Sequence, residues 1–226
     1  DKIKFIARKY NLKIIEDAAQ GMGSYYKKAH AGSFSDVAAF STHPLKNLNA
    51  LGDGGFITTN NKKIYTKIKL YRNHGMKKRD YVESYGVNSR LDVINAEVLK
   101  LRLKKLKSIN DKRRQNASLY RNNLNNKFIK IPEDKKNEIN SYVMLLAQAE
   151  KRDNLQKYLS SNKIQSLVYY GTPLHLHKAT KKLGYKKGSL PVAEKLASKV
   201  LALPHHQNLS KGQILYVCKK INEFYN

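Results

Sequence analysis

Residues 37–59 read VAAFSTHPLKNLNALGDGGFITT. Val37 to Ser41 is a short run of small and apolar residues, a polar turn containing Pro44 follows, and Gly52, Gly54 and Gly55 lead into a second apolar run, Phe56 to Thr59. Two such runs bounded by turn residues predict two strands joined by a loop. Lys46 lies in that loop, away from any helix face, and Ser41 ends the first strand. Open α/β sheets bind their ligands beyond the carboxyl ends of the strands, where this loop falls.

Upstream, Lys2 to Tyr10 carries Ile3, Ile6 and Ala7 at the spacing of one helix face, and Leu12 to Ile15 reads as a short buried strand. Glu16 and Asp17 follow at its carboxyl end. A chain that opens in mid-helix and passes directly into a strand is expected to be the middle of a larger α/β domain whose first part is lacking. Downstream, Lys62 to Tyr71 reads as a helix closed by Gly75 in RNHG. Apolar positions from Ile94 to Leu124 recur at helical spacing, which predicts a long helix from Asp92 to about Asn125 with a break near Ser108.

Pro132 and the polar stretch EDKKNEINS mark a boundary. Beyond it the pattern predicts strands at Tyr142 to Ala149 and Ser166 to Tyr170, and helices at Asp153 to Ser161, Pro191 to Leu201 and Gly212 to Tyr225. The expected organisation is residues 1–125 as the later part of a large domain including the long helix, and residues 126–226 as a small C-terminal α+β domain.

Composition narrows the class. With 226 residues, 41% of them hydrophobic, the chain is long enough to bury a core. No apolar run reaches the length of a membrane span, and the first residues carry no signal-peptide pattern, so a cytoplasmic protein without membrane contact is expected. One cysteine, Cys218, excludes a disulfide framework. The net charge of +27 would by itself suggest a polyanion partner. Its 44 basic residues, however, run along the whole chain as solvated faces with no aromatic-interleaved motif, so no nucleic-acid partner is expected. His175 and His177 stand two apart without a carboxylate or cysteine cluster, and no metal site is read from them.

An amine on a loop, a carboxylate and hydroxyl and amide donors, all near strand ends, are the groups that pyridoxal phosphate requires. The amine holds the aldehyde, the carboxylate keeps the pyridine nitrogen protonated, and the donors receive the phosphate and the ring hydroxyl. Lys46, Asp17, Ser41 and Gln20 offer these groups in that order. Read locally each has an alternative: an aspartate after a strand is often a helix cap, and a lysine in a lysine-rich chain is usually solvated.

In order along the chain, IIEDAAQGMGS, GSFSDVAAFSTHPLKNL, LGDGGFITT, YRNHG, GVNSRLDVINAEVL and KRRQNASLYRNNL resemble the DegT and StrS type of sugar aminotransferases, of fold type I. YYGTPLHLH and LPVAEKLASKVLALP extend the resemblance over nearly the whole chain. It implies an incomplete large domain with a mainly parallel sheet, and pyridoxal 5'-phosphate as cofactor. Lys46 is implied as the lysine that bonds the cofactor, Asp17 as the partner of the pyridine nitrogen, Gln20 of the ring hydroxyl and Ser41 of the phosphate. Asn88 is implied to reach the phosphate held by a neighbouring subunit, hence a homodimer with shared sites. Relatives that dehydrate sugars carry histidine where this chain has Lys46, so the resemblance implies transamination of a nucleotide-linked keto sugar, with glutamate as amino donor. The GDGG turn and the TPLH segment resemble relatives that aminate carbon 3.

His175 in TPLHLH is implied near the substrate, while His43, three residues before Lys46, and His74 in RNHG are candidates to line the same cleft, and Arg90 is a candidate clamp for a phosphate or sugar. His43 and His74 are equally readable as structural hydrogen-bonding groups, and Arg90 as an interface ion-pair residue. Tyr169, Tyr170 and Gly171 depart from the family's His-Tyr-Pro pattern just before His175. The competing reading is a non-catalytic binding or regulatory relative of the same fold.

Overall fold

The computed structural model describes residues 1–226. They divide into two compact units: residues 1–110 with 135–143, and residues 111–134 with 144–226. The division therefore falls earlier than the expected boundary after residue 125, and residues 135–143 return to the first unit.

The first unit opens with helix α1 (Lys2–Lys9) and strand β1 (Ile15–Asp17). The strand starts later than expected because Ile14 is already committed to Asp36. Ile14 N donates to Asp36 Oδ2 at 2.9 Å and Asp36 N donates to Ile14 O at 3.1 Å, so the ladder begins at the next residue. That backbone donor also lowers the Asp36 carboxyl below its usual range. Leu12 and Ile15, expected inside, are exposed.

A small antiparallel hairpin, β2 (Tyr25–Tyr26) and β3 (Ala29–His30), precedes β4 (Val37–Ser41) and β5 (Gly55–Thr58). The central sheet has the order β1-β4-β5, with β1 parallel and β5 antiparallel to β4. Parallel character is thus carried by β1 and β4, and the sheet is mixed. Along β4 burial alternates as a pleated strand requires: Ala38 and Phe40 are buried and pack with Ala18, Met22 and Phe56, while Ala39 is exposed.

Helix α2 (Lys62–Tyr71) starts where expected because Asn61 caps it, accepting from Lys63 N at 2.9 Å and Ile64 N at 3.1 Å. Its end runs into a hairpin, β6 (Met76–Lys78) and β7 (Tyr81–Val82). Gly75 lies at φ +70°, its N–H returns to Leu70 O at 2.9 Å, and a Cβ there would fall 1.6 Å from Ser84 O. Only glycine fits.

The expected long helix is two, α3 (Val93–Leu103) and α4 (Leu106–Asn123), broken at Lys104 and Lys105 and not near Ser108. The break resets the buried face: Leu99 and Leu106 join one core cluster with Leu48 and Ala50, whereas Leu101 and Leu103 are exposed. Strand β8 (Ile129–Lys130) belongs to the second unit, and β9 (Glu138–Ile139) pairs with β2 in the first, which is why residues 135–143 return there.

The second unit is built on the antiparallel sheet β11-β10-β8, where β10 is Leu145–Ala149 and β11 is Val200–Leu203. Helices α5 (Arg152–Ser161), α6 (Pro191–Lys199) and α7 (Lys211–Tyr225) surround it. Leu155, Leu159, Ile214 and Ile221 are fully buried. Ser210 and Gln213 form a reciprocal capping box at the start of α7. The later part of α4 belongs here because its buried polar face holds one loop: Tyr120 Oη donates to Pro204 O at 2.8 Å and Asn116 Nδ2 to His206 O at 3.0 Å. Two expectations fail in this unit. Residues 166–170 form no strand beyond a single bridge, Leu167 with Ala202, and the helix from Pro191 ends at Lys199 because the next residues enter β11. Cys218 is buried and free, with its thiol pushed up to about 12 by burial.

Leu155→Ala is expected to cost about 3 kcal/mol, the range for truncating a fully buried leucine. Asn154→Ala, on the exposed side of the same helix, should stay within about 0.5 kcal/mol. Denaturant unfolding of the two variants checks the contrast.

Candidate active site

The register of β1 and β4 places Asp17 opposite Ala39, with Ser41 two residues farther along β4. From strand rise and spacing, the Cα atoms of Asp17 and Ser41 lie about 8 Å apart. Both stand at the carboxyl end of the parallel pair. Asp17 Oδ1 accepts from Ala19 N at 3.0 Å, a local cap that fixes the carboxylate and leaves its second oxygen without a partner. Ser41 Oγ accepts from His43 N at 3.2 Å, so its proton remains available for donation.

Lys46 sits in the loop that leaves β4. The loop is closed at its base by Thr42 N to Gly54 O and by Ala50 N to Thr42 O, both 2.8 Å, and Lys46 N donates to His43 O at 2.9 Å. Leu48 and Ala50 anchor it in the core. The half-buried Lys46 has its backbone held while its amine forms no hydrogen bond or ion pair within the chain. Gln20 follows Asp17 beyond β1; its backbone carbonyl accepts from Ser141 Oγ at 2.9 Å and its side chain is exposed. A carboxylate oxygen, an amine, a hydroxyl proton and an amide are thus presented on tethered backbones with no internal partner.

His43 is tethered as well. Its Nδ1 accepts from Leu45 N at 3.1 Å, which leaves the proton on Nε2, and Nε2 lies 3.9 Å from the exposed Asp53. His74 and Asn88 are brought together by backbone pairing of RNHG with GVNSR: His74 N donates to Val87 O at 3.0 Å and Ser89 N to Arg72 O at 2.8 Å. The approach is close enough that a Cβ on Gly86 would fall 2.4 Å from Gly75 N. Arg90 Nε donates to Asn88 Oδ1 at 3.1 Å, and Asn88, Arg90 and His74 are exposed.

His175 belongs to the second unit and is 7% exposed. Its Nε2 is 2.9 Å from Glu194 Oε1, and the same carboxylate accepts from Gly188 N at 2.8 Å and Leu190 N at 3.3 Å. These donors, the Gly188 backbone first and His175 next, hold the Glu194 carboxyl below its usual range. Glu194 thus holds His175 within its own unit. It helps border an apolar cleft of about 950 Å³ with Tyr169, Tyr170 and Tyr185.

The description "DegT/DnrJ/EryC1/StrS aminotransferase family" is that of the family model matched by residues 1–222. The chain belongs to this family. Aminotransferases of the DegT family are pyridoxal phosphate dependent. Among curated relatives, a Geobacillus stearothermophilus protein named pleiotropic regulatory protein is 38% identical over 100% of this chain and 61% of its own length. The dTDP-3-amino-3,4,6-trideoxy-alpha-D-glucose transaminase of Streptomyces venezuelae is 35% identical over 99% of this chain and 59% of its own length. A crystal structure of a DegT DnrJ EryC1 StrS aminotransferase from Brucella abortus superposes with a TM-score of 0.93 at 34% identity, covering 100% of this chain and 60% of that one. The chain thus spans about 60% of the length of the relatives it matches. The fold is that of the DegT-family aminotransferases. No helix is long and apolar enough to cross a membrane.

The sequence reading missed the polar residues that hold the Lys46 loop, above all Asn47, Asn110 and Ser141, which are 4%, 2% and 0% exposed. One signal was present. Asn110 stands four residues after Leu106, on the apolar stripe of a helix, where a polar residue calls for a partner.

Glu194→Gln is expected to lower the melting temperature of this DegT-family chain at neutral pH. A carboxyl whose pKa is lowered by folding stabilises above its unfolded value, and that contribution is lost as pH falls through the folded value. The gap between variant and parent should therefore close in acid below the usual glutamate range, which melting curves across pH will read.

Proposed function

We propose that the whole protein is a pyridoxal phosphate dependent aminotransferase that converts a nucleotide-linked keto sugar to the amino sugar, with the carbonyl at carbon 3 and glutamate as amino donor. The observation that carries this reading is the placement of Asp17, Ser41 and Lys46 at or just beyond the carboxyl ends of two parallel strands, each on a tethered backbone and with a carboxylate oxygen, a hydroxyl proton and an amine, respectively, left uncommitted.

The donor set fits the cofactor. Lys46 would hold its aldehyde, Asp17 the pyridine nitrogen, Gln20 the ring hydroxyl and Ser41 the phosphate. When bound, the cofactor supplies an electron sink for the carbanion formed at the substrate carbon. Asp17 as an anion keeps the ring nitrogen protonated. Lys46, as an amine, would also move the proton from the donor carbon. The hydrogen bond from Ala19 N keeps Asp17 aimed.

Substrate class is supported by the names of relatives, five of which carry a 3-amino or 3-keto sugar on dTDP or UDP. His43, His74 and Arg90 are proposed on the substrate side, since His43 shares the Lys46 loop and the other two lie on the paired RNHG and GVNSR segments. A cytoplasmic setting is part of the same proposal. The non-catalytic alternative rests on relatives' names, and no residue of this chain favours it.

Lys46→Ala is expected to abolish turnover and the borohydride-reducible bond to the cofactor. Asp17→Asn should retain the cofactor while slowing transamination by orders of magnitude. Peptide mapping after borohydride treatment gives the decision: label on another lysine removes Lys46 from the reaction, and near-normal rates in Asp17→Asn remove Asp17.

A phosphate carries close to two negative charges and needs several donors, of which Ser41 is one. We propose that Asn88 of the partner in a homodimer supplies another. Combining Lys46→Ala and Asn88→Asp subunits should leave one intact site per heterodimer and restore activity toward half the normal rate. Absence of recovery in a mixture containing heterodimers by mass would assign Asn88 to its own chain or to no site.

A further inference from the structure

A lysine amine ends a flexible four-carbon stem, so the protein controls its reach through the position of the Cα atom. At Lys46 that control passes to the next residue. Asn47 is 4% exposed and spends both protons of its side-chain amide: Nδ2 donates to Asn110 Oδ1 at 2.6 Å and to Ser141 O at 2.7 Å. The amide orientation follows from these partners, since the opposite one would face an oxygen with two oxygens.

The network does not end there. Asn110 Nδ2 donates to Met22 O at 3.1 Å. Ser141, fully buried, donates through Oγ to Gln20 O at 2.9 Å and through its backbone N–H to Ser24 Oγ at 3.1 Å. One residue, Ser141, therefore touches the backbone of Gln20 with its hydroxyl and the neighbour of Lys46 with its carbonyl. Asn47 Oδ1 is left buried without a partner, a cost that the amide bears while serving its two acceptors.

We propose that Asn47, Ser141 and Asn110 form a buried strut that sets the separation between Lys46 and Gln20. These are positioning residues: their hydrogen bonds reach neither side-chain amine nor side-chain amide of the pair they space. The inference rests on the reading of Lys46 and Gln20 as the cofactor's amine and ring-hydroxyl ligands. It adds that residues 135–143, which supply Ser141, gauge the site from the far side of the loop. Misplacement of reacting groups by about 1 Å can cost on the order of 100-fold in rate. A truncated Asn47 leaves room for a shift of that size.

The test uses the intact protein, with Leu155→Ala as a destabilised control in the other unit. Three quantities are read: melting temperature without cofactor, rate of covalent capture of pyridoxal phosphate by Lys46, and the pH midpoint of the absorbance of that linkage. Asn47→Ala is expected to slow capture about tenfold or more. Ser141→Ala, which deletes only the hydroxyl to Gln20, is expected to move the midpoint by about half a pH unit or more. Leu155→Ala should change neither. A cofactor-free readout accompanies them: acylation of Lys46 relative to other lysines, mapped by peptide, should change in Asn47→Ala.

Label on a lysine other than Lys46 in the parent overturns the cofactor reading and the strut with it. Label on Lys46 with parental capture rate and midpoint in both variants overturns the strut alone. Equal changes in Leu155→Ala would reduce the effect to lost stability and also overturn it. Should Asn47→Ala fail to fold, Ser141→Ala decides: an unchanged midpoint sinks the proposal.

Discussion

Ala18 N donates to Ala39 O, and with Asp17 opposite Ala39 this fixes the parallel register of β1 on β4. Everything chemical in the first unit is measured from that register. A shift by one residue would turn Ser41 to the other face and carry Asp17 away from it, because side chains alternate along a strand. That register is held at its start by Asp36 gripping Ile14, while Phe40 stacked on Phe56 at 4.9 Å holds β5 against the other edge of β4.

Beyond the strand end, the chain solves a second problem, how to keep a loop rigid without immobilising its reactive group. Hydrogen bonds and core contacts fall on residues 42, 47, 48 and 50, and Arg102 Nη1 donates to Asn49 O at 2.6 Å. Lys46 is left as the one long side chain of the loop with a held backbone and a mobile head. Preorganisation here belongs to the backbone, and freedom to the amine.

Much of this was legible in the sequence where local signals agreed. Val37 to Ser41 and Lys62 to Tyr71 were readable because a polar turn containing Pro44 closes the one and Gly75 in RNHG the other. Asp17 and Lys46 were readable because their positions relative to strand ends carry meaning in an open sheet, and the resemblance then gave them roles. What remained hidden depended on tertiary contact. The apolar spacing continues through Lys104 and Lys105, so only the packing of Leu99 and Leu106 in one cluster reveals the break. KVLAL continues the period of α6, and its conversion to β11 comes from pairing with β10. The partner that holds His175, Glu194, lies 19 residues away, beyond the reach of any local pattern.

Apart from the Arg102 guanidinium and the Asp53 carboxylate beside His43, the ties of the Lys46 loop join uncharged groups. At physiological ionic strength the screening length is about 8 Å, short enough to weaken exposed ion pairs such as Lys77 with Glu83 while leaving buried amide contacts alone. A chain with a net charge of +27 would otherwise hold this loop at the mercy of the surrounding electrolyte. With the loop's fastenings mostly neutral, surface ion pairs can form or break with changing solution conditions, and the geometry at the strand ends does not follow them.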